Sequence, residues 1–275
     1  GALVRQDDVI ATLGGASVVA ADQSGYAEAL VALARPDLRL RWRSLAWEGD
    51  TVFARPRELN FPSLTHQLQT AGATLVLLQF GEMESFAGAA GVPAFAAAYE
   101  QLLTEVGAVV PRRVLLTPRI PAVTGSIEPA DREAQIAPYA AAVRELGTRL
   151  GLPVVVVPAD RRGDWAPGHA VPIAFALSGI KIPPPIVSPD GRFGASDLEA
   201  LRQAIVARNR VWFDYSRPMN WAFLGGDRTE QPSSRDHRNR SLRWFPAEME
   251  QFRPLITAAD QEVWKAAAAV AGGSR

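Results

Sequence analysis

The sequence predicts an α/β protein in which a parallel β-sheet lies between two layers of helices. Short apolar segments of strand length alternate along the chain with longer segments of helical periodicity. Helices of this length are the usual right-handed crossovers between parallel strands. The segment TLVLLQF (Thr74–Phe80) is apolar almost throughout, as expected for a strand that is covered on both faces.

Local signals justify the elements one by one. Ser63 is a good N-cap for the helix that Gly72 ends, and Pro93 lies in the first turn of the next helix, where proline is tolerated. Pro118 stops the fourth strand. The predicted strands are Asp8–Leu13, Leu38–Leu45, Thr74–Phe80, Arg113–Thr117 and Val154–Val157. The predicted helices between them are Tyr26–Ala34, Leu64–Ala71, Pro93–Val106 and Ile136–Leu150.

The character of the sequence changes near residue 180. We expect an α/β core at 1–180 and a C-terminal helical extension at 181–275 that packs on the same domain. The extension is predicted to contain a Pro-rich connector, an amphipathic helix, a long polar loop and a closing helix broken at Pro254. These segments are Ile182–Pro189, Asp197–Asn209, Gly225–Ser241 and Pro246–Val270.

Composition excludes several classes of protein. The 29 basic and 29 acidic side chains balance, so we expect no nucleic-acid partner and no anionic membrane partner. The chain has no cysteine, which excludes disulfides, cysteine-ligated zinc and thiol nucleophiles. No apolar run is long enough for a membrane span. The sequence begins at Gly1, and if a signal peptide preceded it the protein is expected to be secreted or periplasmic.

Four short blocks resemble the motifs of the SGNH (GDSL-type) hydrolases. The segment WEGDT (47–51) stands where some bacterial members have Trp-Ser-Gly-Asp-Thr, and Gly49 takes the place of the oxyanion-hole glycine. The segment GEMESF (81–86) is similar to Gly-x-Asn-Glu-Ser-Phe, with Met83 in place of the Asn that donates to the oxyanion. A thioether cannot donate such a bond. The resemblance implies a flavodoxin-like three-layer α/β/α sandwich, the SGNH-hydrolase fold, which cleaves acyl esters.

The nucleophile block departs most from the family. Aligning Gly14 with the first residue of Gly-Asp-Ser puts Gly15 at the aspartate and Ala16 at the serine, and alanine cannot form an acyl-enzyme. Ser17 follows one residue later, and a one-residue slip in a tight turn directs a side chain elsewhere. A local bulge would bring Ser17 back into place, so two interpretations of this block remain open.

The last block holds the base that the resemblance implies. In DWAPGHAVP (164–172), His169 matches the family pattern, but the residue three positions before it is Ala166 rather than aspartate. A bend at the intervening Pro-Gly would let Asp164 reach His169; alternatively, His169 is a solvated loop histidine. The segment RPMN (217–220) is similar to the tail of SGNH-like proteins of Planctomycetes-type bacteria.

These departures lead to three functional hypotheses. In the first, the chain is an SGNH-like protein that is catalytically impaired or inactive and retains a pocket for a small-molecule, glycan or acyl ligand. In the second, it is an active serine esterase on acyl esters, including carbohydrate-linked ones, and uses Ser17 with His169 and Asp164. In the third, Glu48 and Glu82 perform acid/base chemistry or hold a cation.

The polar loop in the extension contains a further pair of binding candidates. Arg228 and His237 are placed to meet an anionic or sugar ligand, with Trp221 or Trp244 as a stacking face. The alternative is a loop held by salt bridges. The three histidines of the chain lie far apart without zinc-site spacing, so we expect no metal, and nothing implies a cofactor.

Overall fold

The central sheet has the strand order β2-β1-β3-β4-β5, and every pair of neighbouring strands is parallel. The computed structural model describes residues 1–119, 129–158 and 167–273. This order is the one found in flavodoxin-like sheets, and the predicted fold class is confirmed. The strands are β1 (Val9–Gly14), β2 (Arg41–Ser44), β3 (Leu75–Gln79), β4 (Arg113–Leu116) and β5 (Val154–Val155).

Helices connect the strands and continue into the C-terminal part of the chain. No described helix combines the length and the apolar character that crossing a bilayer requires. The helices are α1 (Ala16–Ser24), α2 (Tyr26–Ala34), α3 (Leu64–Ala71), α4 (Val92–Gly107), α5 (Pro129–Leu150), α6 (Pro167–Ser178), α7 (Ser196–Ser216), α8 (Trp221–Leu224) and α9 (Trp244–Gly273).

Two hydrophobic cores lie on opposite faces of the sheet, and the strands supply alternate residues to them. In β3, Leu75 and Leu77 belong to the core that α2, α6, α7 and α9 share. Val76 and Leu78 belong to the core formed with α3, α4 and α5. This alternation is the period of a β-strand, and it explains why β3 is apolar at almost every position.

Helix α9 corrects one sequence prediction. It runs as a single helix of 30 residues through Pro254, so the predicted break there is wrong. Proline removes one backbone donor from a helix, but α9 is held along its length because Ile256 and Val263 are buried in the two cores. Packing of the apolar face therefore outweighs the local cost of Pro254.

A group of buried charges fixes the C-terminal helices to the core. Asp260 of α9 accepts hydrogen bonds from Nη1 of Arg43 on β2 at 3.1 Å and from Nη1 of Arg208 on α7 at 2.9 Å. Arg208 also donates to Glu28 of α2 at 2.6 Å. All four side chains are buried. Burial raises the pKa of the Glu28 carboxyl, and the charge of Arg208 opposes that rise.

Candidate functional site

The turn after β1 packs closely against its neighbours. A Cβ atom on Gly14 would lie 2.4 Å from Cγ2 of Val18 and 2.5 Å from the main-chain oxygen of Gln79, so only glycine fits. Gly15 is the N-cap of α1, and a Cβ there would lie 3.1 Å from the main-chain oxygen of Asp50. The turn after β1 and the turn after β2 therefore meet at the carboxyl edge of the sheet, where open α/β sheets bind ligands.

The hydroxyl of Ser17 donates a hydrogen bond to Oε2 of Glu82. Ser17 lies in the first turn of α1 and is 8% exposed, and Glu82 lies in the loop after β3. Ala16, which occupies the nucleophile position by resemblance, begins the helix and carries only a methyl group. Within the described ranges, the single proton of the Ser17 hydroxyl is thus directed to a carboxylate and not to His169.

Glu82 is a more basic carboxylate than usual. Burial raises its pKa, and the nearby charge of Glu84 adds to the rise. The hydrogen bond from Ser17 and the charges of Arg119 and Arg132 act in the opposite direction without cancelling it. Such a carboxylate can accept a proton from a bound hydroxyl or hold a hydrogen-bond donor of a ligand.

Arg132 is fully buried beneath the loop that carries Glu82. Its Nη2 donates to the main-chain oxygen of Glu82 at 3.1 Å and to Oγ of Ser85 at 2.9 Å, and its Nη1 donates to Oε1 of Gln135 at 2.6 Å. The guanidinium lies 3.8 Å from the centre of the Phe86 ring. Burial lowers the pKa of Arg132, and the charge of Glu82 opposes this. The loop after β3 is therefore anchored from α5.

Sequence reasoning missed both arginines of this site. Arg132 precedes the predicted start of α5, which begins earlier than its apolar periodicity indicates. Arg119 is buried and lies just beyond β4. The carboxyl edge of a parallel sheet was the signal that could have identified Arg119.

Glu84 ties two loops together. Its Oε1 accepts from the backbone N–H of Val52 at 2.8 Å and its Oε2 accepts from that of Gly81 at 2.9 Å. The neighbouring Met83, at the position of the oxyanion donor that the sequence resemblance implies, is 48% exposed. Glu84 is therefore a loop-holding residue, and Met83 adds no donor to the site.

Glu48 does not join Glu82. Its Oε2 accepts from Nη2 of Arg217 at 2.6 Å, and its side chain is 53% exposed. Burial raises the pKa of Glu48, but the hydrogen bond from Arg217 outweighs it and holds the pKa below the usual value. Arg217 and Arg57 each lie 4.3 Å from the ring of Trp47. The two carboxylates expected for acid/base work thus have different partners: Glu48 pairs with Arg217, the C-cap of α7, and Glu82 with Ser17.

Gly49 lies in an exposed turn, and a Cβ atom there would meet no atom within 4 Å. The space beside this predicted oxyanion glycine is open to a ligand.

His169 lies in the first turn of α6 and is 1% exposed, so it is a buried helical residue rather than a solvated loop histidine. Asp164 lies outside the described residues, and its pairing with His169 stays a prediction. Arg228 lies 5.9 Å from the ring of Phe223, within the C-terminal extension. His237 is 79% exposed beside Asp236. The contacts described for this second pair do not connect it with Ser17.

In the three stretches that the structure describes, no group of three or more metal-ligating side chains occurs.

Comparisons with protein-family models and with curated proteins find no match. Three of the similar solved structures are the following. An alpha/beta hydrolase enzyme from the metagenome of Lake Arreo is 18% identical with a TM-score of 0.45, over 65% of this chain and 98% of that one. A protein described as a GDSL-like lipase from Parabacteroides merdae is 12% identical with a TM-score of 0.48, over 65% and 98%.

A catalytic mutant of an acetylxylan esterase from Geobacillus stearothermophilus is 15% identical with a TM-score of 0.46, over 65% of this chain and 97% of that one. The function of this chain is therefore inferred from the residues of its own site.

Proposed function

We propose that the chain is an SGNH/GDSL-hydrolase-like protein that does not turn over esters and uses the carboxyl edge of its sheet to bind an acylated or glycan small molecule. One observation carries this proposal: the hydroxyl nearest the nucleophile position belongs to Ser17, and it is bonded to Glu82. Acyl transfer by a serine needs a base that removes the hydroxyl proton as the bond forms. An unperturbed carboxylate is a weaker base than imidazole, although burial raises the pKa of Glu82.

The oxyanion side of the site is also weakened. Met83 offers no hydrogen-bond donor, and removing one such donor typically slows acyl transfer by about a hundred- to a thousandfold. Gly49 lies in an exposed turn, and a Cβ atom on it would meet no atom within 4 Å. Together these features favour the binding of an oxygen-rich ligand over its hydrolysis.

The groups that remain suit a ligand rich in hydroxyl and carbonyl groups. Glu82 accepts hydrogen bonds from ligand hydroxyls, the Ser17 hydroxyl can exchange partners, and backbone N–H groups at the turns donate to carbonyl oxygens. The charges of Arg119 and Arg132 act to lower the pKa of Glu82 and so favour its ionised form. Such a set matches an acylated sugar better than an alkyl ester.

Hydrolysis of p-nitrophenyl acetate tests the loss of turnover. We expect the wild-type protein and the Ser17→Ala variant to give the same slow rate. Turnover that disappears in Ser17→Ala would overturn the proposal. Binding is tested separately by saturation-transfer NMR with acetylated xylobiose, where we expect a signal that Glu82→Ala removes and that an exposed change, Glu248→Ala, preserves.

A second candidate has one specific observation in its favour, the direct bond between Ser17 and the unusually basic Glu82. In this candidate Ser17 attacks an acyl carbon, its proton passes to Glu82, and the alcohol leaves with a proton returned from Glu82. Water then attacks the acyl-enzyme, its proton passes through Glu82 back to Ser17, and the free acid is released. Turnover lost in both Ser17→Ala and Glu82→Gln, but kept in His169→Ala, would select this candidate over a histidine-based esterase.

A further inference from the structure

A second cleft, with a volume of about 290 Å³, lies between α3 and the C-terminal helices α7, α8 and α9. Four aromatic rings and one methionine form part of its wall: Phe61, Trp212, Tyr215, Trp221 and Met249. Neither Ser17 nor Glu82 lines it, so a role for this cleft is independent of the proposed function. A concave, mainly apolar cavity with a few polar groups at its edge is the usual form of a small-molecule site.

The polar atoms of the two indole rings are used inside the protein. Nε1 of Trp212 donates to the main-chain oxygen of Ser44 at 2.6 Å, and Nε1 of Trp221 donates to that of Leu59 at 2.8 Å. The rings therefore offer carbon faces and edges to the cleft rather than hydrogen-bond donors. A ligand whose hydroxyl groups all require partners, such as a free sugar ring, fits such walls poorly.

The rings are already tilted against one another in pairs. The centres of Phe61 and Trp221 are 4.7 Å apart at an interplanar angle of 59°, and those of Trp212 and Tyr215 are 5.5 Å apart at 46°. A further aromatic ring that packs beside such pairs gains edge-to-face contacts worth about 0.5–1.5 kcal/mol per pair beyond area burial. The sulfur of Met249 adds a favourable contact with a ring edge.

The charges at the cleft point to an uncharged ligand. Among the residues that the structure describes, no lysine or arginine lines the cleft. Its acidic residue, Glu250, is neutralised at the rim by Arg253, whose Nε lies 2.8 Å from the carboxylate. His66 and Thr70 are exposed at the same cleft and can meet a polar substituent of the ligand.

We propose that this cleft binds a small, uncharged molecule that carries an aromatic ring, with the ring between the walls and a polar substituent at the rim. The ligand contacts both the α/β core through α3 and the C-terminal helices. Its binding therefore stabilises the packing of these parts against unfolding.

The test uses 5-fluoroindole as the probe and follows its ¹⁹F resonance. We expect saturable line broadening with the wild-type protein, reversed by unlabelled indole. Met249→Trp fills the cleft and should weaken binding by about tenfold or more, which corresponds to about 1.4 kcal/mol. Met219→Trp is the matched control, because Met219 is fully exposed and does not line the cleft.

Thr70→Trp fills the cleft from an exposed position of α3, and it keeps the test decisive if Met249→Trp unfolds. No broadening with the wild-type protein, or equal broadening with the filling and control variants, would overturn the proposal. If fluorocyclohexane bound as tightly as 5-fluoroindole, the proposal that the ligand is aromatic would be overturned.

Discussion

Replacing Arg208 with methionine should destabilise the protein far more than the same change at Arg210, although both arginines lie on α7. Arg208 is fully buried and bonds to the carboxylates of Glu28 and Asp260. Arg210 is 72% exposed and pairs with Asp214 one helical turn away.

The expected magnitude follows from the charge that each variant leaves behind. Two arginines and two carboxylates balance in the buried group formed by Arg43, Arg208, Glu28 and Asp260. Arg208→Met leaves Glu28 buried without its partner, and breaking a buried pair in this way costs about 3–5 kcal/mol. An exposed pair of the Arg210 type contributes about 0.3–0.5 kcal/mol. The urea midpoint should fall by about 1 M for Arg208→Met and change little for the control.

A double variant separates the charge effect from lost packing. Glu28→Gln combined with Arg208→Met removes the unpaired carboxylate and leaves Arg43 with Asp260, so we expect part of the lost stability to return. The loss in Arg208→Met should also shrink at low pH, where Glu28 takes up a proton. Equal midpoints for the Arg208 and Arg210 variants, measured by urea unfolding with circular dichroism, would refute the reasoning.

Two further outcomes follow from the carboxylates of the core. Burial raises the pKa of Asp22 to about 6 from an ordinary value of 3.8, so ionisation costs stability progressively as the pH rises between these values and fully above about 6. Asp22→Asn should therefore be more stable than the wild type at pH 7.5, by on the order of 1–3 kcal/mol. The difference in stability should disappear near pH 4. Unfolding curves of the two proteins that differ by the same amount at both pH values would contradict this. Glu84→Ala leaves the backbone N–H groups of Gly81 and Val52 without their acceptor and should cost about 2 kcal/mol or more, whereas an unchanged thermal midpoint would show that Glu84 holds neither loop.

Much of the fold could be predicted because its signals are local. Helix α3 has the predicted bounds, and the N-cap is confirmed by the bond from the backbone N–H of His66 to Oγ of Ser63 at 3.2 Å. Each predicted strand contains the observed one except at β1, where the structure begins at Val9 and adds Gly14. The division of the chain near residue 180 stays a prediction.

The helices that were missed lack helical periodicity. The sequence of α1 mixes small, apolar and polar residues without a clear apolar face, and α6 is apolar on most sides because it packs among other elements. Pro172 lies inside α6, and a proline at such a position usually indicates the end of a helix. Tertiary packing, rather than pattern, determines these two helices.

The sequence predicts where in the fold the candidate site lies, but it does not predict which side chains contact one another there. Parallel topology places Ser17, Gly49 and Glu82 at one edge of the sheet, which the order of elements already indicated. Which carboxylate meets Ser17 depends on long-range packing: Glu82 turns inward to it, whereas Glu48 is held outside by Arg217. Spacing along the chain does not encode such pairings.

Labelling with a fluorophosphonate probe, followed by intact mass, tests the central claim that the serine at this site is not an active nucleophile. The wild-type protein should form no adduct, and the Ser17→Ala, Glu82→Gln and His169→Ala variants should behave in the same way. A single adduct on the wild-type protein that is absent from Ser17→Ala would contradict the claim and identify the chain as a working serine hydrolase.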